Sequence, residues 1–298
     1  MIAHLLQAAP TPLVLADVTE WKQWFSAGAA SASVDAALAA GFSADRIGYA
    51  FASGYAIALG RMIPAVHGKV ACLAVTEAAG AHPKKIAMTL RRSQHGYVLD
   101  GVKTFATLAP VADVVVVIAR NAGAFADRRE LLAVTVPLSD ARMSVHPPTP
   151  FAPEIPHAEL AFAGTAVSEA QVLRGDGYAD YTKPFRTIED VHVHAAVLGY
   201  VVQVGRRCGF QRTIIEDLLA VAEALVAIGA RPAGDAATHL ALAGTLRQMR
   251  SVLLSSAGEW AKAEDDVRGR WERDQGLFAI AEMVRAKRTE RAWEAITT

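Results

Sequence analysis

Residues 96–107 read GYVLDGVKTFAT, two runs of strand-forming side chains on either side of Asp100-Gly101. An Asp-Gly pair between such runs is a strong hairpin signal, because a two-residue turn needs positive φ angles that glycine adopts at little cost. We therefore predict a β-hairpin with Asp100 and Gly101 as its turn. This prediction indicates that the surrounding region is a β domain.

The same pattern extends outward from this stretch, from about Lys69 to Leu173. Short runs rich in Val, Leu, Ile and Thr alternate there with Gly, Pro and Asp, which is typical of an antiparallel sandwich or barrel. Further strands are predicted at 70–75, 85–92, 114–119, 131–137, 142–146 and 157–162.

Both flanking regions follow a helical period instead. The N-terminal region predicts helices at 17–26, 33–40 and 44–63, the last of them closed by Pro64. In the C-terminal region, apolar residues recur with i, i+3, i+4, i+7 spacing in four segments, as in a helical bundle. These stripes begin at Ile188, Ile214, Leu242 and Leu277, and the last one continues through Ile280 and Val284.

Taken together, these patterns predict an α+β fold in three parts. An N-terminal helical region spans 1–68, a central antiparallel β domain spans 69–175, and a C-terminal four-helix bundle spans 176–298.

Charge and cysteine content restrict the possible partners. Thirty basic residues balance thirty acidic ones, so no net field attracts nucleic acid or an acidic membrane, and a small molecule or a protein is the expected partner. Cys72 and Cys208 lack the number and spacing of a disulfide framework, a zinc site or a redox pair. The first ten residues lack the features of an export signal. We expect a cytoplasmic protein.

Three stretches resemble the acyl-CoA dehydrogenase family. Residues 74–80, AVTEAAG, resemble the T-E-P-x-A-G-S-D segment of that family, and 96–107 resemble its G-Y-x-L-x-G-x-K-x-W-I-T hairpin. Residues 173–189 resemble the passage that leads into its first bundle helix. The three stretches occur in the family's order, and the chain resembles a short, divergent member.

The resemblance implies an FAD-dependent enzyme that dehydrogenates the α,β bond of an acyl-CoA thioester. By the same resemblance, Thr76 contacts the flavin, Phe105 stacks on its isoalloxazine ring and the Thr107 hydroxyl faces its N5 edge. Because family members pair their bundles, the resemblance also implies a homo-oligomer or a hetero-oligomer with a related subunit.

Glu189 is the candidate base for the α-proton that such a reaction removes. Isovaleryl-CoA dehydrogenase and its relatives carry this glutamate on the first bundle helix, ten residues before the Gly of a Leu-Gly pair, and Glu189 lies ten residues before Gly199. Helical spacing places Glu189 on one face with His192, Ala196 and Gly199, where small side chains leave room for a ligand. Alternatively, residues 187–190 resemble an N-terminal capping arrangement, in which Glu189 only stabilises the helix start.

The chain also departs from the family pattern. Ala78 replaces the proline of the first segment, Ala81-His82 replace its Ser-Asp, and the R-x-x-x-F-G element for the ADP half of FAD has no clear match. The late loop that carries the base in most members is not recognisable either. An alternative function is therefore a catalytically inactive partner subunit that contributes an interface and part of a shared FAD site.

Other polar groups carry no predicted chemistry. His192 and His194 point to different faces of a helix, so we predict no metal site. The basic residues from Arg285 to Arg291 are predicted to be solvated.

Overall fold

The computed structural model describes residues 2–28, 31–123, 130–279 and 281–297. The N-terminal helices are α1 (Ile2–Gln7), α2 (Val18–Gly28), α3 (Val34–Ser43) and α4 (Ile47–Met62). Ser33 caps α3 by accepting a hydrogen bond from the Ala36 N–H at 3.1 Å. Pro64 follows α4 and cannot extend it, as predicted.

Among the residues that the structure describes, seven strands form the central sheet: β1 (Ala71–Ala74), β2 (Thr89–Ser93), β3 (Gly96–Thr107), β4 (Val114–Asn121), β5 (Leu131–Pro137), β6 (Arg142–Val145) and β7 (His157–Val167). They are ordered β1-β4-β2-β3-β7-β6, and β5 also pairs with β4. Most pairings are antiparallel, but β4 pairs in parallel with both β1 and β2. The predicted β domain is present, and its sheet is mixed rather than purely antiparallel.

The apolar run in β4 is explained by two cores. Val116 contributes to the core shared with the helices, whereas Val115 and Val117 contribute to the core inside the sheet. A strand covered on both faces needs apolar residues at successive positions, which removes the usual alternation.

The predicted hairpin turn at Asp100-Gly101 is wrong. Strand β3 continues through both residues, and the turn lies at 94–95, between Ser93 and Gly96. Gly101 has φ +139° and lies where the register of β3 against β7 shifts. A Cβ at Gly101 would lie 2.9 Å from the Cα of Met88. Glycine is therefore required at position 101 by a β-bulge and by the close approach of the Met88 backbone. An Asp-Gly pair in the sequence fits this bulge as well as it fits a turn.

The C-terminal helices are α5 (Lys183–Cys208), α6 (Arg212–Gly229), α7 (Ala236–Ser255), α8 (Asp265–Asp274) and α9 (Glu282–Thr297). Helix α5 packs directly on α3, where a Cβ on Gly199 would collide with the backbone of Leu38. One continuous apolar core consequently joins the helices of both ends of the chain. Ile280, predicted on the last apolar stripe, lies outside the described residues.

Across the part of the chain that the structure describes, no helix combines the length and the apolar character that crossing a bilayer requires.

Candidate active site

A cavity of about 460 Å³ lies between β3, α5 and the segment that follows α8. Phe105 and Thr107 of β3 line it from one side, and Glu189 of α5 lines it from another. The structure thus brings together three of the four residues that the sequence singled out, although Glu189 is more than 80 positions from the other two in the chain.

Phe105 lies at the edge of this cavity and is 43% exposed, so it is not an ordinary core aromatic. Its ring stacks on His157, with 4.3 Å between ring centroids, and lies 5.6 Å from the ring of His146. Burial, together with the smaller effect of the neighbouring His146, lowers the pKa of His157 to about 4. His157 is therefore neutral at physiological pH. The stack presents a flat aromatic surface that a planar ligand can cover.

Thr76, the fourth predicted residue, is not a wall of the cavity. It forms a β-bridge with Phe105, and its carbonyl accepts a hydrogen bond from the Thr104 N–H at 2.9 Å. Thr76 therefore lies directly beside the exposed ring.

A buried ion pair beneath this bridge holds the two motif segments together. Lys103 is fully buried, and its Nζ donates to Glu77 Oε1 at 2.6 Å and to the Val75 carbonyl at 3.2 Å. Glu77 Oε2 accepts the Ala87 N–H at 2.7 Å. Burial lowers the pKa of Lys103, and hydrogen bonding to Glu77 opposes that shift. The pair fixes the segment of Thr76 against β3.

Glu189 faces the cavity from the second turn of α5. Burial raises the pKa of its carboxyl to about 8, and the charge of Asp190 adds to the shift, whereas Arg186 and Arg285 oppose it. Among the residues that the structure describes, none donates a hydrogen bond to this carboxyl group. Its side chain is only half-buried, since the cavity leaves it accessible from one side. The carboxyl is therefore a desolvated acid or base open to a ligand.

The capping alternative for Glu189 is wrong. Helix α5 begins at Lys183, so Glu189 is its seventh residue, and a π-helical turn at Gly177–Thr182 precedes it. Asp176 caps that turn by accepting the N–H groups of Tyr178 and Ala179 at 2.9 and 2.7 Å.

The predicted ligand face of α5 is also wrong. Ala196 and Gly199 contact α3, where glycines let the helix backbones approach, and they leave no space for a ligand. His192 lines other cavities, and burial lowers its pKa to about 4. Glu189 instead shares the cavity with Val193 and Val197, one and two turns further along the same face.

Asp190, next to Glu189, has a different environment. Its two carboxylate oxygens accept from Arg285 Nη1 at 3.1 Å and from Arg288 Nη2 at 2.7 Å, which anchors α9 on α5. The prediction that these arginines are solvated is wrong, because both are half-buried in this contact. The two adjacent acids thus have different environments. Asp190 forms ion pairs with two arginines and has a structural role, whereas Glu189 faces the cavity without an ion-pair partner among the described residues.

Sequence reasoning missed most of the cavity wall, which includes Phe51, Phe151, Ile155, Leu277 and Phe278. These residues come from α4, the loop before β7 and the segment after α8. No local motif links them, so only the tertiary structure identifies them. Within the described ranges, no group of His, Cys, Asp and Glu residues is arranged to hold a metal ion.

Comparison with known proteins finds similarity in the middle of the chain and in the fold. Residues 72–164 match the acyl-CoA dehydrogenase middle domain. A benzylmalonyl-CoA dehydrogenase from Aromatoleum aromaticum is 31% identical over 168 residues, which cover 51% of this chain and 43% of that relative. The match therefore spans less than half of the length of the curated relative.

Solved structures share the fold at low identity. Butyryl-CoA dehydrogenase from Megasphaera elsdenii superposes with a TM-score of 0.68 at 16% identity, covering 93% of this chain and 90% of that one. The FAD complex of PigA gives 0.67 at 17% identity, covering 92% and 89%. The middle-domain match over residues 72–164 and the related dehydrogenase agree with the motifs around Thr76 and Phe105, and the chain shares its fold with butyryl-CoA dehydrogenase.

Proposed function

We propose that this protein is an FAD-dependent acyl-CoA dehydrogenase in which Glu189 removes the α-proton of the substrate. The observation that carries the proposal is the shared cavity: Glu189 faces the same space as Phe105 and Thr107. The middle-domain match and the related benzylmalonyl-CoA dehydrogenase support this reaction class.

The residues around the cavity fit the flavin of FAD. The exposed ring of Phe105 offers a face for stacking, Thr107 lines the same wall, and Thr76 lies beside Phe105. A bound FAD would supply the oxidant that accepts the β-hydride. The PigA structure, with a related fold, contains FAD.

The environment of Glu189 suits a general base. With a pKa of about 8, about one carboxyl group in ten is ionised at pH 7. The ionised form takes the proton from the α-carbon, and its raised pKa makes it a stronger base than an exposed glutamate. Because no described residue donates a hydrogen bond to this carboxylate, its lone pairs are available to the substrate.

We infer that the enzyme works as an oligomer in the cytoplasm. Exposed apolar side chains on α9, among them Trp293 and Ile296, support self-association or pairing with a related subunit. The free cysteines, Cys72 and Cys208, support a reducing compartment.

Anaerobic titration of the FAD-loaded protein with acyl-CoA esters tests the proposal. The flavin absorbance of the wild type should bleach, and Glu189→Gln should retain the flavin band but lose bleaching by at least about 100-fold in rate. Glu216→Gln, an exposed substitution on α6, is the matched control and should behave like the wild type.

Two results would contradict the proposal. Equal bleaching by Glu189→Gln would remove Glu189 from the reaction. A protein that takes up FAD only when a related subunit is added, and bleaches with no ester, would instead support the inactive partner subunit.

A further inference from the structure

The cavity that contains Glu189 has an aromatic wall. Phe51 of α4, Phe105 of β3, Phe151 of the loop before β7 and Phe278 after α8 all line it. Phe51, Phe151 and Phe278 are each half-buried, so part of each ring remains accessible at the cavity. The remaining apolar wall is aliphatic and comes from Ile155, Val193, Val197 and Leu277.

Neighbouring groups hold the rings of Phe51 and Phe278 in place. Phe51 lies 6.1 Å from the ring of Tyr55 at an interplanar angle of 15°. Phe278 lies 6.0 Å from Trp271 and 6.5 Å from His194, between ring centroids. The pocket is therefore largely preformed, which lowers the cost of binding a ligand that fits it.

Most polar groups in the wall are already engaged or neutral. Asp190 binds two arginines, and the Thr149 hydroxyl donates to the Phe151 carbonyl at 2.7 Å. Burial lowers the pKa of His157 to about 4, and it also lowers that of His194, so both rings are neutral at physiological pH. Contacts with aromatic and aliphatic surface therefore decide which ligand is preferred.

We propose that this cavity selects acyl-CoA esters whose acyl chain ends in an aromatic ring, held among Phe51, Phe151 and Phe278. This inference rests on the proposed acyl-CoA dehydrogenase function. A phenyl group gains edge-to-face and offset contacts with these rings that a linear chain cannot make.

Calorimetric titration of the FAD-loaded protein with 3-phenylpropanoyl-CoA and with hexanoyl-CoA tests the preference without requiring turnover. The aryl ester should bind at least about tenfold more tightly, as expected for two or three favourable ring contacts. Phe278→Leu and Phe151→Leu should each reduce that ratio to about threefold or less, with little change for hexanoyl-CoA. Phe51→Leu serves if either variant does not fold.

Tyr97→Leu provides the control, since Tyr97 is a half-buried aromatic residue of β3 that does not line the cavity. It should leave the aryl preference unchanged. Hexanoyl-CoA binding as tightly as the aryl ester, or a ratio that survives all the phenylalanine substitutions, would overturn the inference.

The same titrations separate this inference from the proposed function. Preferential binding of the aryl ester, with no ester able to bleach the flavin, leaves the selectivity standing and contradicts the dehydrogenase. If a straight-chain ester binds more tightly than the aryl ester and bleaches the flavin fastest, the dehydrogenase function stands and the aryl selectivity is contradicted.

Discussion

The Nζ of Lys103 lies 2.6 Å from Glu77 Oε1, and the lysine side chain is completely buried. This contact joins the strand of Phe105 and Thr107 to the segment of Thr76, so both proposed flavin-contacting segments depend on it. Removing one partner of a buried ion pair leaves a charge without compensation, which is far more damaging than replacing both partners.

Lys103→Met should therefore destabilise the protein by about 3–5 kcal/mol. Denaturant unfolding measures this free energy. The double variant Lys103→Met/Glu77→Gln should recover part of the loss, because the isolated carboxylate is then removed. A single variant with wild-type stability would show that the pair does not hold the two segments together.

The raised pKa of Glu189 should make the stability of the protein decrease as the pH rises. Its pKa is raised to about 8 in the folded protein, so the folded state binds this proton more tightly than the unfolded state. Stability contributed by the neutral carboxyl is present below the unfolded pKa and decreases as the pH rises toward 8. The decrease is on the order of a few kcal/mol.

Glu189→Gln removes this titration, so its melting temperature relative to the wild type should increase between pH 5 and pH 8. Thermal unfolding of both proteins across that range checks the difference. Parallel curves would mean that the carboxyl is not desolvated in the folded state.

The Asp190 contact with Arg285 and Arg288 predicts a role in anchoring α9. Asp190→Asn should cost about 2–4 kcal/mol, because two half-buried guanidinium groups lose their counter-charge. The exposed pair of Arg250 and Glu282 gives a matched comparison on the same helix, and Glu282→Gln should cost less than about 1 kcal/mol.

Limited proteolysis should release the C-terminal segment faster from Asp190→Asn than from Glu282→Gln. Equal proteolysis of the two variants would contradict the anchoring role.

Gly101 predicts a larger cost of substitution than Gly80. Both have positive φ, +139° and +102°, but a Cβ at Gly101 would meet Met88 whereas a Cβ at Gly80 would meet nothing within 4 Å. Gly80→Ala should destabilise the protein by about 1–2 kcal/mol from backbone strain alone. Gly101→Ala should destabilise it more, because the added Cβ must also push away the backbone of Met88. Chemical denaturation of the two variants measures the difference, and equal losses would rule out the close approach.

Local patterns were sufficient to predict the fold. Helical period placed α2, α3 and α4 close to their observed bounds, and the first three C-terminal stripes fall on α5, α6 and α7. It missed α8, and the predicted last stripe begins at Leu277, before α9 starts at Glu282. The two motif segments contain Thr76 and Phe105, which form a β-bridge. The same patterns did not determine the structural role of each glycine. The Asp100-Gly101 pair is compatible with a turn or with a bulge. Gly199 is compatible with a surface that contacts a ligand or with one that contacts another helix.

The rest of the site depends on contacts between distant segments. Arg288 is 98 positions from Asp190, so its ion pair has no sequence signature. Phe51, Phe151 and Phe278 reach one cavity from three separate parts of the fold. Glu189 was identified by its spacing from Gly199, but its raised pKa results from burial that only the folded chain provides.

The central claim is that Glu189 removes the α-proton of an acyl-CoA bound in the cavity. Exchange of that proton for deuterium, followed by NMR in D₂O with the FAD-loaded protein and an acyl-CoA ester under anaerobic conditions, measures this step directly. We expect exchange by the wild type that is faster at pH 8 than at pH 6, and none above background with Glu189→Gln. Wild-type exchange rates in Glu189→Gln would contradict it.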